Sequence, residues 1–443
     1  MLSILINAYA CSPGMGSEPG MAWNWCVNLA KYCELHIITE GEFRERIERC
    51  LNSLTPNPSP KGEGSDKPVN GYGLTETQIC NLHFYWNPIG GDDDERCAKI
   101  RRMCWNQGDW RFYKYYRKWQ WRTYEMAKDI CAQRHIDILH QLNMIGFREP
   151  GYLWKLDGVP FVWGPIGGLK QFPMCYADGG GLKMKLFNGL KNIINIWQLK
   201  HDGRVSAALY KADLLISSIP DSYTAIKKYH NLESHIIPET GCFENKECLA
   251  RHRDFYDKYL KIIWVGKFDF RKRLDIALET MATVCNSNIV FQIFGTGSER
   301  QVNGVRSYCD KLGISDWVQI KWMGNCPNDE IQKAMSGAHL FFFTSISEDT
   351  STVVMEAISN SLPVLCFDTC GMGYVINDKV GIKVPLTNPR RSVKDFAGKI
   401  EYLYSHRDVL KSMSDNCNER RKELGWDSKA RKMVELYNQI VKQ

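Results

Sequence analysis

The stretch His339–Gly373, HLFFFTSISEDTSTVVMEAISNSLPVLCFDTCGMG, constrains the fold more than any other part of the chain. Leu340–Thr344 is a short aromatic and aliphatic run and reads as a buried strand. Thr350–Ser361 opens on small hydroxyl residues and closes before Pro363, which reads as a helix, and Pro363–Phe367 reads as a second buried strand. Together they form a βαβ unit with acids and hydroxyls at the strand-to-helix turn. In open α/β sheets that turn, at the carboxyl end of a strand, is where ligands bind. A helix start offers backbone N–H groups and a positive dipole end, which suit a phosphate. Glu348 precedes the helix and Glu356 lies within it, with seven residues between them. Acids beside a phosphate cradle are suited to the hydroxyls of a sugar or a ribose.

The rest of the chain repeats this alternation. Ser3–Asn7 reads as a strand, Met21–Lys31 as a helix and Leu35–Thr39 as a strand; further strands follow at Ile136–His140, Ala212–Ser217 and Ser234–Pro238. A second series begins after ETGCFENKE: strand Ile262–Val265, helix Leu274–Cys285, strand Ile289–Phe294, helix Gly304–Leu312 and strand Val318–Met323. A chain of 443 residues has room for two such domains, and the boundary falls near residue 240. The opening residues lack a charged leader and read as strand rather than signal peptide. No apolar run reaches the ~18 residues of a membrane span. The 17 cysteines show no paired spacing and read as reduced, mostly buried small side chains. A net charge of +7 favours anionic partners.

Between strand one and its helix, CSPGMGSEPG carries Gly14, Gly16 and Gly20, which let backbone N–H groups approach a phosphate. With Glu40 ending the next strand, this approximates a dinucleotide fingerprint, but its spacing is off by one residue. Thr55–Tyr72 is rich in proline, glycine and polar residues and reads as a flexible insertion. Asp92, Asp93 and Asp94 must be weighed as a divalent-metal motif. No strand that would present them is legible before them, so they read as a solvated turn.

Residues 96–134 hold eleven Lys or Arg against three acids, interleaved with Trp105, Trp110, Tyr113, Tyr115, Tyr116, Trp119 and Trp121. Such a stretch can bind nucleic acid, lie at a membrane interface, or form a helix with a buried aromatic stripe. No nucleic-acid module accompanies it, and no nucleic-acid partner is expected. Lys183–Lys200 places Phe187, Leu190, Ile194 and Trp197 at helical spacing, with lysines at 183, 185 and 191. That pattern suits an in-plane membrane helix and equally a helix facing a core.

Glu348 and Glu356, followed by Ala357 and the SLPVL strand, resemble the donor-site signature of retaining glycosyltransferases of family 4. The resemblance extends over nearly the whole chain: GSEPGMAWNW, WVGKFDFRKRLD, IFGTGSER and MGNCPNDE resemble the family's cleft loops. It implies an α/β chain of GT-B architecture, two Rossmann-like doubly wound domains facing a central cleft. Residues 1–240 would form the acceptor side and 241–426 the nucleotide-sugar donor side, with the helix of 427–443 packed back on the first domain.

The implied activity is transfer of a sugar from a nucleotide-diphosphate sugar to a glycan or lipid-linked acceptor, with no metal or other cofactor. Glu348 and His140 take the catalytic positions. Lys267, Lys272, Glu356, Gly16, Thr350, Ser351, Thr352, Val353, Gly295 and Gly324 would face the donor. Gly14, Glu18, Arg148 and Gly167 would face the acceptor. Lys267 stands where the family usually has arginine, and Arg273 where it usually has glycine. The expected location is cytoplasmic, at the inner membrane face if the basic helices touch anionic lipid. Two rivals remain: a nucleotide-sugar epimerase of the same fold, and a non-catalytic binder of anionic polymers acting through residues 96–134.

Overall fold

The computed structural model describes residues 1–52, 73–105, 109–177, 179–243, 253–284 and 286–442. The insertion expected at Thr55–Tyr72 lies outside them, as does Cys285 at the expected end of the Leu274 helix.

A seven-stranded sheet forms from β1 (Leu2–Ala8), β2 (Cys33–Thr39), β3 (Leu82–Trp86), β4 (Ile138–Asn143), β5 (Phe161–Ile166), β6 (Leu214–Ser217) and β7 (His235–Ile236). Its order is β3-β2-β1-β4-β5-β6-β7, and every pairing is parallel. A six-stranded sheet follows from β8 (Leu260–Val265), β9 (Ile289–Phe294), β10 (Gln319–Gly324), β11 (Leu340–Phe343), β12 (Val364–Asp368) and β13 (Gly381–Pro385). Its order, β10-β9-β8-β11-β12-β13, is also parallel throughout. Parallel sheets need helical crossovers on both faces. The central strands are therefore near-continuous apolar runs, as in LSILINA and LFFF.

Each sheet reverses its order once, between β1 and β4 in the first and between β8 and β11 in the second. Such a switch point leaves a crevice at the strands' carboxyl ends. The chain also crosses twice between the two halves. Phe172, Tyr176 and Ala177 belong to the core under the second sheet, where the Tyr176 hydroxyl meets Ser392 Oγ at 2.6 Å. Arg273, in the left-handed region at φ 49°, donates to the Tyr176 carbonyl at 2.9 Å, so its side chain fastens this strap. In return, the last helix, Trp426–Val441, buries Trp426, Ala430, Met433, Leu436 and Tyr437 in the core of the first sheet.

The expected place of His140 is corrected here. The sequence reads it as the last residue of a strand opening on a cleft, but β4 runs on to Asn143, and His140 sits mid-strand opposite Ile6 and Val162. Its side chain is fully buried beneath the last helix. Nε2 donates to the Gly164 carbonyl at 2.7 Å, and Nδ1 accepts from the Tyr437 hydroxyl at 2.6 Å. Burial lowers its pKa to about 4, against the pull of the Gly164 carbonyl, so the ring is neutral. His140 thus joins the sheet to the last helix and does not face the cleft.

The aspartate triplet is also better placed than its sequence suggests. A strand, β3, does precede it, and Asp94 begins the Asp94–Trp105 helix. Asp93 accepts from the Arg96 N–H at 2.9 Å, the ordinary work of a residue at a helix start. In the basic stretch, the Phe112–Gln133 helix buries Phe112, Tyr116 and Trp119 and leaves Tyr113 and Trp121 partly exposed.

Tyr437→Phe strips the hydroxyl from His140 Nδ1 and leaves a buried acceptor alone, which costs about 1–3 kcal/mol. A thermal melt should show a clear drop of several degrees. An unchanged melt would mean that this bond holds nothing.

Candidate active site

Both switch points open on one cleft of about 750 Å³ between the two sheets. From the first sheet, the first turn of the Ser17–Leu29 helix that follows β1 contributes Ser17 and Glu18, and the loop after β4 contributes Met144, Ile145, Gly146, Arg148 and Glu149. From the second, the turn after β8 brings Gly266, Lys267, Asp269, Arg271 and Lys272, and the turn after β11 brings Glu348 through Val353. Segments far apart in sequence are therefore gathered by topology alone.

The turn after β8 is shaped by Asp269, whose carboxylate accepts from the N–H groups of Arg271 at 2.9 Å and Lys272 at 3.2 Å. This aims Lys272 inward, where its ammonium group pairs with Glu348 beside the Phe343 ring. Glu348 also accepts from Ser345 Oγ at 3.0 Å. Lys267 is exposed at the same wall. Beyond Glu348 begins the Thr352–Ser359 helix; Ser351 precedes it and makes no side-chain cap, so its first turn meets the cleft through backbone. Gly371 permits this approach, since a Cβ there would lie 2.2 Å from Thr350 Oγ1 and 2.7 Å from the Asp349 carbonyl oxygen.

The two walls are tied together by acids that sequence reasoning did not single out. Asp349 accepts from the Gly168 N–H at 3.2 Å and pairs with Lys170 at 3.1 Å, both from the first half of the chain. Gly167 lets it come so close, for a Cβ there would lie 3.1 Å from the Asp349 carboxyl carbon. Glu239, buried where the chain leaves the first sheet, accepts from the Thr350 N–H at 2.5 Å. Burial and the nearby Asp349 push the Glu239 carboxyl well up. Behind it, Lys429 donates to the Pro238 and Thr240 carbonyls between the rings of Trp25 and Trp426, and burial drives its pKa down.

Glu18 accepts from the Ile145 N–H at 3.2 Å, while its Oε2 is buried with no hydrogen-bond partner among the described residues. Burial raises its pKa to about 7, with the Ile145 bond opposing and Asp349 assisting. Arg148 donates to Gln198 at 2.8 Å and also to Asn195, so it is held before any ligand arrives.

Other expected residues lie elsewhere. Gly14 and Gly16 are exposed in the loop after β1 but do not line the cleft; their neighbours Ser17 and Glu18 do. Gly295 is a packing requirement, because a Cβ would lie 1.8 Å from the Gly266 carbonyl oxygen, and its N–H donates to Gly324 at 2.7 Å. These two glycines therefore set the strand ends that carry Lys267. Glu356 lies farther along its helix, outside the cleft lining, and accepts from Asn328 at 3.3 Å; burial raises its pKa while Asn328 opposes.

Two Rossmann-like domains meeting at their switch points define a GT-B fold. Residues 246–422 match the family model described as glycosyl transferases group 1. An uncharacterized glycosyltransferase of Methanocaldococcus jannaschii is 23% identical over 197 residues, covering 44% of this chain and 52% of that protein. This chain thus spans about half the length of that relative. Among solved structures, the sucrose-phosphate synthase of Thermosynechococcus elongatus superposes with a TM-score of 0.63 at 14% identity over 99% of both chains. Anabaena HepE in complex with UDP does so with a TM-score of 0.60 at 12% identity, covering 99% of this chain and 100% of that one. The family-model match supports the group 1 glycosyltransferase superfamily over residues 246–422, and the solved structures show the shared fold.

Because the Glu18 carboxyl is raised above its unfolded value of 4.5, its burial costs little while protonated and most once the pH passes about 7. Glu18→Gln should therefore raise the melting temperature more at about pH 8 than at about pH 5. Equal shifts at both would show that the carboxyl is not desolvated.

Proposed function

We propose that the chain is a retaining glycosyltransferase. It moves a hexose from a nucleotide-diphosphate sugar to a hydroxyl of a glycan or lipid-linked acceptor, in cell-surface polysaccharide synthesis. The observation that carries this reading is the convergence of Lys267, Lys272, the Thr352 helix start and Glu348 on one wall of the cleft. The sugar, the retained configuration and the pathway rest on the family resemblance. HepE, a neighbour in fold, is recorded in complex with UDP, in keeping with a nucleotide-sugar donor.

As the sugar–phosphate bond breaks, negative charge grows on the leaving diphosphate and positive charge on the anomeric carbon. Fixed ammonium groups and backbone dipoles stabilise the first without rearranging. Lys272 and Glu348 divide the remaining work between them. The ammonium group serves the phosphate, and the carboxylate, no longer needed as its partner, takes a sugar hydroxyl. Glu356, next to Asn328, is assigned to the ribose. On the opposite wall Glu18 and Arg148 face the acceptor. A lysine-and-dipole cradle does the work that a divalent ion does in other transferases, so the reaction needs no metal.

The test is sugar transfer followed by nucleotide release. Removing a charged hydrogen-bonding group costs about 1.5–3 kcal/mol, a rate loss of roughly ten- to a hundredfold. Glu348→Gln and Lys272→Ala should each fall by that factor, with full activity in excess EDTA. Wild-type rates in both variants would remove these residues from the mechanism. Loss in EDTA with rescue by manganese would overturn the metal-free cradle, and sugar conversion without transfer would favour an epimerase.

A further inference from the structure

The Gly181–His201 helix carries an apolar face that nothing among the described residues covers. Only Asn188, Asn195 and Leu199 of its side chains are buried. Leu182, Leu186, Leu190, Ile193 and Trp197 recur at three- and four-residue spacing, and their exposures are 72%, 65%, 58%, 67% and 61%. Phe187, at 64%, and Ile194, at 40%, widen the stripe. Single exposed apolar residues need no explanation, but a contiguous row of this size marks an interaction surface. Sequence spacing could not separate a core-facing helix from an interfacial one; the exposures do.

We propose that this helix lies in the plane of an anionic bilayer surface, with its apolar row among the upper acyl chains. Its polar residues include Lys183, Lys185, Lys191 and Lys200 and no acid, the composition of an interfacial helix drawn to anionic lipid. A second copy of the chain is a poorer occupant. A two-fold contact along this helix would set its lysines against those of the partner, with no carboxylate on the helix to pair them. No helix of the described residues is long and apolar enough to cross a membrane, so the contact is with the surface.

The orientation follows from the inner side of the same helix. Asn195 and Gln198 hold Arg148, which lines the cleft. On the flank of the helix, partial burial and then the charges of Arg148, Lys170 and Arg271 lower the pKa of the solvent-exposed Lys191. Docking on the outer face would therefore hold the cleft wall that carries Arg148 one helix diameter, ~10 Å, from the lipid surface. On the glycosyltransferase reading, that is the access a lipid-borne acceptor needs. The docking itself stands without that reading.

The test uses the full-length chain and vesicles of phosphatidylcholine with and without about 30% phosphatidylglycerol, read by co-sedimentation at low and high salt. The chain should bind the anionic vesicles, and salt should weaken the binding. Leu186→Ser/Leu190→Ser/Trp197→Ser should lower the affinity about tenfold or more, while Lys183→Gln/Lys200→Gln should shrink the salt dependence. Both variants alter only exposed side chains, and thermal melts matching wild type show that they fold. Nucleotide-sugar binding in solution should be unchanged in both, which separates this test from that of the activity. No sedimentation with either vesicle would overturn the proposal. So would unaltered binding by the triple variant, or a wild-type dimer, seen in the analytical ultracentrifuge, that the triple variant dissolves.

Discussion

The arrangement depends on a carboxylate without a full set of partners. Glu239 is buried at the point where the chain passes from the first sheet to the second, and it holds the Thr350 N–H. Its Oε2 has no hydrogen-bond partner among the described residues. A buried charge of this kind is expensive unless compensated. Burial and Asp349 relieve that cost by raising the Glu239 pKa toward the neutral acid, while Lys429, lodged between two tryptophans and bonded to the carbonyls on either side of Glu239, works against the rise. The last helix, the inter-sheet segment and the start of the Thr352 helix are thus tied at one point. Asp349 extends the tie across the cleft to Gly168 and Lys170.

This constraint explains how a cleft lined by several acids can, on the proposed function, receive a phosphate. The acids Glu239 and Asp349 are spent on backbone and lysine within the protein, and Glu18 is raised toward neutrality by burial. Lys267 and the backbone of the Thr352 turn are left facing the opening. Lys272 and Glu348 neutralise each other in the cleft, and on the proposed function a substrate separates them. Such half-buried pairs add little to stability. Their worth lies in being preorganised for two ligand groups of opposite polarity.

Much of the fold is legible in the sequence because parallel strands buried on both faces must be apolar runs. Ile289–Phe294 reads as a strand from sequence and is one in the structure, and the Leu340 to Phe367 unit differs only at its ends. What the sequence hides is long-range or depends on register. β3 is obscured because LHFYW mixes histidine with aromatics and follows the insertion. His140 is misread from sequence because β4 runs past its apolar stretch to Asn143, which turns a strand end into a strand middle. Glu239 and Lys429 come together from either side of the second domain, and a lysine within the apolar stripe of a last helix announces no partner. In the cleft, glycines mark the right loops but not the right residues. Gly14 and Gly16 flag the loop, but it is Ser17 and Glu18, at the start of the helix that follows, that reach the cavity.

The central claim is that the Lys272 turn and the start of the Thr352 helix form one cradle for a nucleotide diphosphate. Saturation-transfer NMR of a nucleotide-sugar panel against the wild-type chain and Lys272→Ala tests this most directly. The account predicts that at least one nucleotide sugar shows transfer to its ribose and sugar protons, without added metal, and that Lys272→Ala weakens it by about tenfold or more. Binding of none of the panel, or binding that Lys272→Ala leaves untouched, would contradict it.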